Sequence, residues 1–204
     1  MAESDCFKRI EHAFRAAAEI LDRAGVQFML GGSLAAWVRG GPESCNDLDL
    51  MIRPADADRA LEAFERAGMR TERPPEGWLV KAWVDDVLID LIHAPTGLTI
   101  DDAAFERGDE ANPWAIPVRA MALEDVLVSK LLSFGEHNLD LEAPLQIARA
   151  VREQVDWRRV RERTADSPYA RGFIALLEEL DLLARATEHA APSQPRIRVA
   201  TAGG

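Results

Sequence analysis

The chain has 204 residues, 48% of them hydrophobic and 29% charged, with a formal net charge of −11. That length suits one domain of ordinary size, or one domain with a helical appendage. The acidic balance argues against general nucleic-acid binding, which rests on Lys and Arg neutralising phosphates. No run of about eighteen apolar residues is present to form a membrane-spanning helix.

The N-terminus, MAESDCFKRIEHAF, is charged and has no apolar core before a cleavage site, so it does not read as a signal peptide. Cys6 and Cys45 lie far apart with no metal-ligand spacing. They read as reduced thiols of a cytoplasmic protein. Residues 4–24 predict an amphipathic helix, with Phe7, Ile10, Phe14, Ala17 and Leu21 at three- and four-residue steps and Gly25 closing it. Phe28-Met29-Leu30 is a brief strand ended by Gly31 and Gly32. Ser33 suits an N-cap for a short helix over 34–38, and Gly40-Gly41-Pro42 breaks it. A strand follows at 47–52, then a helix over 54–67 with Pro54 near its start and Leu61 and Phe64 as anchors.

Three strands are expected next: a weak one at 69–73, one at 78–84, and one at 87–92 after an Asp85-Asp86 turn. The last is apolar on both faces, as a central strand should be, except for Asp90. Residues 95–113 read as loop with a short strand at 98–100, and 114–118 as an edge strand between Pro113 and Pro117. A helix over 121–134 carries Leu123, Val126, Leu127, Lys130, Leu131 and Phe134 along one inner face. Lys130 in that stripe either snorkels outward or points at a bound anion. Helices over 140–155, from about Asp156, and from Ser167-Pro168 follow. The final stretch, 190–204, has the composition of a disordered tail.

The most informative stretch runs from Phe28 to Ile52. In a strand the side chains alternate, so Leu48, Leu50 and Ile52 share one face while Asp47 and Asp49 share the other. Two neighbouring carboxylates repel each other, and a hard divalent cation relieves that. The Gly31-Gly32-Ser33 turn upstream lets backbone approach closely, and a helix N-terminus offers free N–H groups to an anion. Asp90 is the candidate third carboxylate; otherwise it caps a strand end or pairs with an arginine. Asp85 and Asp86 compete for that role but read as turn residues. His93 at a strand end, and Trp37, Trp78, Trp83, Trp114 and Trp157, suit structural roles better than a general base or a base-stacking platform.

A Gly-Gly-Ser turn followed by Asp-x-Asp on a strand resembles the nucleotidyltransferase superfamily that shares the DNA polymerase β-type palm. Leu123-Glu124-Asp125-Val126, Lys130 and the later Asp140 also resemble a segment of AbiE-like toxins of that superfamily, although Gly135-Glu136-His137-Asn138 stands where those often carry Arg or Lys. The resemblance implies an α+β fold: a palm of mixed sheet flanked by helices over 1–120, followed by a helical segment over 121–189. It implies a metal-dependent enzyme moving a nucleoside monophosphate from an NTP to an acceptor hydroxyl. Asp47, Asp49 and Asp90 would bind Mg²⁺ or Mn²⁺, and Gly31, Gly32, Ser33 and Lys130 would hold the nucleotide.

Three functions follow from it. A toxin or defence factor would modify a tRNA or a protein, have an antitoxin partner, and turn Arg149, Arg152, Arg158, Arg159, Arg161 and Arg163 towards the cleft. An enzyme of the aminoglycoside or lincosamide type would have an acidic acceptor cleft. A non-catalytic nucleotide- or partner-binding member would hold one of the three aspartates out of reach of the others. Left to themselves, those arginines read as a solvated helical face paired with its own glutamates.

Overall fold

The computed structural model describes residues 5–45 and 47–184. The tail expected over 190–204 lies outside them. Helix α1 (Asp5–Arg23) buries Phe7, Ile10, Ala13, Phe14, Ala17 and Leu21, the stripe that its periodicity predicts. It leads through Gly25, at φ +63°, into strand β1 (Phe28–Leu30). Helix α2 (Gly32–Trp37) is short, and β2 (Leu48–Ile52) returns antiparallel to β1. A 3₁₀ turn at Pro54–Asp56 opens helix α3 (Ala57–Arg66).

Strands β3 (Arg70–Glu72), β4 (Leu79–Val84) and β5 (Val87–Ile92) form an antiparallel meander, with Asp85 at φ +52° in the β4–β5 turn. Helix α4 (Asp102–Arg107), β6 (Asp109–Ala111) and β7 (Val118–Ala120) follow. The chain then turns helical: α5 (Leu123–Leu132), α6 (Glu142–Val151), α7 (Trp157–Arg163) and α8 (Pro168–Glu179).

The described strands form a seven-stranded mixed sheet in the order β3-β4-β5-β2-β1-β7-β6. This is the expected α+β palm. Strand β2 is central, parallel to β5 and antiparallel to β1. Leu48, Leu50 and Ile52 are fully buried on the face that packs against α1. Alternation puts Asp49 and Met51 on the opposite face, where α2 and α5 lie. The β2–β5 register sets Asp49 directly beside Asp90, and the β4–β5 register sets Lys81 on the other side of Asp90. One apolar core runs from α1 through the sheet to Leu131 and Phe173 of the later helices. Asp125, 2% exposed, bridges Arg107 of α4, at 3.0 and 3.1 Å, and Arg163 of α7.

Several expectations are corrected. The N-cap of α2 is Gly31, not Ser33, because the Gly31 carbonyl accepts the first helical hydrogen bond, from the Ala35 N–H at 2.9 Å. Residues 98–100 form no strand. Ile100 instead packs into the core, and Asp101 caps α4 by accepting from the Ala104 N–H at 2.9 Å. Residues 114–118 are not an edge strand. Trp114 and Ala115 adopt φ of +51° and +63° in a 3₁₀ turn, which no strand can accommodate. The strand starts only at Val118, and β7 lies between β1 and the true edge β6. Finally, Cys6 and Cys45 are joined as a disulfide, their Cα atoms 5.8 Å apart, because the loop after α2 passes the start of α1. The inference of a compartment from two separate thiols therefore lapses. Among the described residues, no helix is long and apolar enough to cross a membrane.

Candidate active site

The site begins where β1 ends. The Gly31 N–H donates to the Asp49 carbonyl at 2.9 Å, which lays the glycine turn directly on β2. A Cβ on Gly31 would lie 2.3 Å from Met51 Cε, and one on Gly32 would lie 1.7 Å from Asp49 Oδ2. Gly32 also sits at φ +49°. Gly32 therefore has to lack a side chain on two counts, whereas a side chain at Gly31 would require the flexible Met51 side chain to shift. The missing side chain of Gly32 is the space that the Asp49 carboxylate occupies.

Asp47, Asp49 and Asp90 each bring a carboxylate oxygen to within 4.8 Å of the others. Two come from β2 and its approach, the third from the neighbouring β5. This crowding is electrostatically unfavourable. Burial, then the charge of Asp47, pushes the Asp49 carboxyl up to about 7; Lys130 opposes this, and Asp90 adds to it. Burial also raises the Asp90 carboxyl, which Lys81 counteracts and Asp47 reinforces. Asp90 is 8% exposed, and among the described residues its Oδ1 has no hydrogen-bond partner. The Lys81 ammonium stands 3.5 Å from that atom, an ion pair beyond ordinary hydrogen-bond length.

An orphaned buried oxygen beside two more carboxylates is an unbalanced arrangement for a protein on its own. All three donors are hard oxygens that converge on one point, and they fit divalent cations of the magnesium or manganese type. A cavity of about 190 Å³ adjoins the triad, lined among others by Gly32, Asp49, Trp78, Thr96, Ser129 and Lys130. Lys130 therefore faces the site; it does not snorkel away from it. Ser33 opens on the other side of the turn, into a groove with Glu43, Asp140 and Glu142.

The other candidates fall elsewhere. Asp85 and Asp86 reach back to His12 and Arg9 of α1. His93 donates its backbone N–H to the Trp78 carbonyl; burial, then the charge of Arg73, lowers the pKa of its ring, and Asp58 opposes this. It lines a separate pocket with Asp58 and Arg73. Asp140 accepts from the Glu142 N–H at the start of α6. Most of the arginines between Arg149 and Arg163 pair internally: Arg152 with Glu153, Arg158 with Asp156 and Glu162, Arg159 with Asp156, Arg161 with Glu178, and Arg163 with Asp125. Lys81 went unnoticed in the sequence. Only the strand register places it beside Asp90.

Among solved structures, the antibiotic-resistance factor ANT(2″)-Ia in solution matches with a TM-score of 0.57 at 18% identity, covering 82% of this chain and 94% of that one. A crystal structure of ANT(2″)-Ia in complex with adenylyl-2″-tobramycin gives 0.55 at 16%, covering 82% and 97%. The lincosamide antibiotic adenylyltransferase LnuA, lincomycin-bound, gives 0.47 at 12%, covering 66% and 91%. At these identities the likeness is one of fold. Comparison with curated protein sequences finds no match. Residues 10–171 match the family described as nucleotidyl transferase of unknown function (DUF2204), a span that takes in the glycine turn, all three aspartates and Lys130. A palm sheet with a carboxylate triad against a glycine turn is the architecture that such a transferase requires, and the chain belongs to this nucleotidyl transferase family.

Proposed function

We propose that the protein transfers a nucleoside monophosphate from an NTP to the hydroxyl of a small cationic acceptor. The acceptor oxygen forms a bond to the α-phosphorus, the bond to the β-phosphate oxygen breaks, and pyrophosphate leaves. The observation that carries this is the convergence of Asp47, Asp49 and Asp90 within 4.8 Å, directly beside the Gly31-Gly32-Ser33 turn. Mg²⁺ or Mn²⁺ bound by these carboxylates would neutralise charge on the phosphates and the departing oxygen.

The chain's own groups do the rest. Gly32 meets the β- and γ-phosphates through its backbone N–H, and Ser33, whose side chain opens into the groove on the other side of the turn, contributes its backbone N–H alone. Lys130 adds a positive contact from α5. Asp90, at the acceptor side of β5, takes the proton from the attacking hydroxyl. Positioning and charge neutralisation supply the rate, since phosphoryl transfer asks for little covalent chemistry from the protein.

Two features bear on the acceptor. The internal pairing of the arginines in α7 and around it leaves them poorly placed to bind a polyanion, which weakens the case for a tRNA acceptor. The groove beyond Ser33 carries Glu43, Asp140 and Glu142, so it suits a cation. ANT(2″)-Ia, similar in fold, has been crystallised with an adenylylated aminoglycoside. A non-catalytic role predicts one aspartate out of reach of the others, the opposite of the arrangement observed.

The test is incubation with each labelled NTP and Mg²⁺ or Mn²⁺, against an aminoglycoside panel, total tRNA and protein extract in parallel. Label on an aminoglycoside that disappears in Asp49→Ala supports the proposal. Label on tRNA or protein alone replaces the acceptor class and revives a toxin with an antitoxin partner. No transfer to any acceptor, with no metal-dependent NTP binding, sinks the enzymatic role.

A further inference from the structure

The cavity beside the triad has one wall that serves neither phosphate nor metal. Trp78 is 41% exposed, yet it lines this cavity together with Gly32, Asp49 and Lys130. Its backbone is fixed: the Trp78 carbonyl accepts from the His93 N–H at 3.1 Å and the Ala94 N–H at 3.0 Å. The indole is therefore held next to the turn that leaves β5. The other aromatic residues of that kind are used otherwise. Trp37 and Trp114 stack on each other at 5.0 Å, Trp83 lies under Arg70, and Trp157 bonds the Arg152 carbonyl. Trp78 is left offering an apolar ring face to water at the mouth of a charged site.

The remaining walls are mostly apolar, as the face of a ring requires. Met51, Ile92, Met121 and Val126 are apolar, and the polar groups apart from the site residues are the hydroxyls of Thr96, Ser129 and Ser133. The slot is continuous with the groups that would hold the phosphates. A ring lying in it therefore belongs to the same molecule. We infer that the nucleobase of the NTP occupies this slot, stacked on Trp78 with its edge towards those hydroxyls.

The Thr96 and Ser129 hydroxyls can each donate and accept, and that of Ser133, which donates to the Lys130 carbonyl at 2.8 Å, can still accept; such a set does not separate an amino from a keto edge, and stacking is tolerant of base identity. The slot accordingly binds all four bases with little discrimination. This rests on the transfer reaction proposed above for the same site.

The two can be tested apart by calorimetric titration with Mn²⁺–ATP and with Mn²⁺–tripolyphosphate, a probe with the phosphates but no base. Wild type should bind both. Trp78→Ala should weaken ATP roughly 5- to 50-fold, the worth of one stacked base at a partly open site, and leave tripolyphosphate unchanged. Trp78→Phe, which keeps a ring, should recover most of the ATP affinity. The four NTPs should bind wild type within about tenfold of one another.

An unchanged ATP affinity in Trp78→Ala, or a parallel loss of ATP and tripolyphosphate, overturns the slot while label transfer by wild type leaves the reaction standing. Wild type that binds neither probe overturns both. A preference for one NTP of more than about a hundredfold would show an edge-reading group that these hydroxyls cannot provide.

Discussion

Asp49→Asn removes one negative charge from the triad without changing its shape, and the consequence for stability should depend on pH. In the metal-free protein the Asp49 carboxyl is pushed from 3.8 to about 7, chiefly by burial. The folded state therefore holds this proton across a range in which the unfolded chain has already released it. Stability then falls as pH rises from about 4 to about 7, and the loss is complete above that. At 1.36 kcal/mol per unit, the whole interval is worth about 4 kcal/mol.

Asparagine carries no charge at either end, so the variant escapes this loss. Only the upper part of the interval lies between pH 5 and pH 8, so the variant should gain roughly 2 to 3 kcal/mol over wild type across that change. Urea unfolding in EDTA at both values measures it. Saturating Mn²⁺ at pH 8 should raise wild-type stability and affect the variant less, because the cation neutralises the same repulsion. A difference between variant and wild type that stays constant from pH 5 to pH 8 would falsify this account of the triad.

Further substitutions probe the neighbours. Gly32→Ala should fold, by circular dichroism, but lose at least about a hundredfold in kcat/KM, since its Cβ would displace the Asp49 carboxylate and a 1 Å misplacement costs that much. Lys81→Met removes the charge that holds the Asp90 carboxyl down; the acid limb of the kcat/KM profile should move to higher pH, with Lys81→Arg restoring it. Asp125→Ala strands Arg107 and Arg163 and should cost about 2 to 4 kcal/mol, some 5 to 10 °C in Tm, with Mn²⁺ affinity unchanged.

The readable parts of the sequence were those governed by local rules. Alternation along 47–52 assigned each β2 residue to its face, and the lone Asp90 in an apolar strand marked the third carboxylate. The glycine pair announced close backbone approach, and the structure shows what approaches it: Met51 behind Gly31 and the Asp49 carboxylate behind Gly32. Local rules failed where tertiary pairing decides. Residues 98–100 have strand-like composition but no partner, so Asp101 acts as a helix cap there. Trp114 looked extended between two prolines, yet its indole stacks on Trp37, and the backbone turns through positive φ at that point. Lys81 and Trp78 carry no motif. Their relevance follows from the β4–β5 register and from the cavity wall, neither of which a single sequence displays.

The site and the fold share one constraint. A triad on central strands β2 and β5 is held rigidly, because β2 and β5 are each paired on both sides. The same placement forces three carboxylates into partial burial, where their mutual repulsion works against folding. Helix α5 answers this with Lys130, and β4 answers it with Lys81. Each counters one carboxyl only in part, since both Asp49 and Asp90 remain raised. What is left uncompensated is negative charge, which a divalent cation would neutralise. Under the proposed metal binding, the arrangement would couple metal affinity to stability. A variant with either lysine removed should depend more heavily on added Mn²⁺ to stay folded, read as a larger rise in Tm on its addition than in wild type, because the electrostatics that make the site costly are those a doubly charged ligand would relieve.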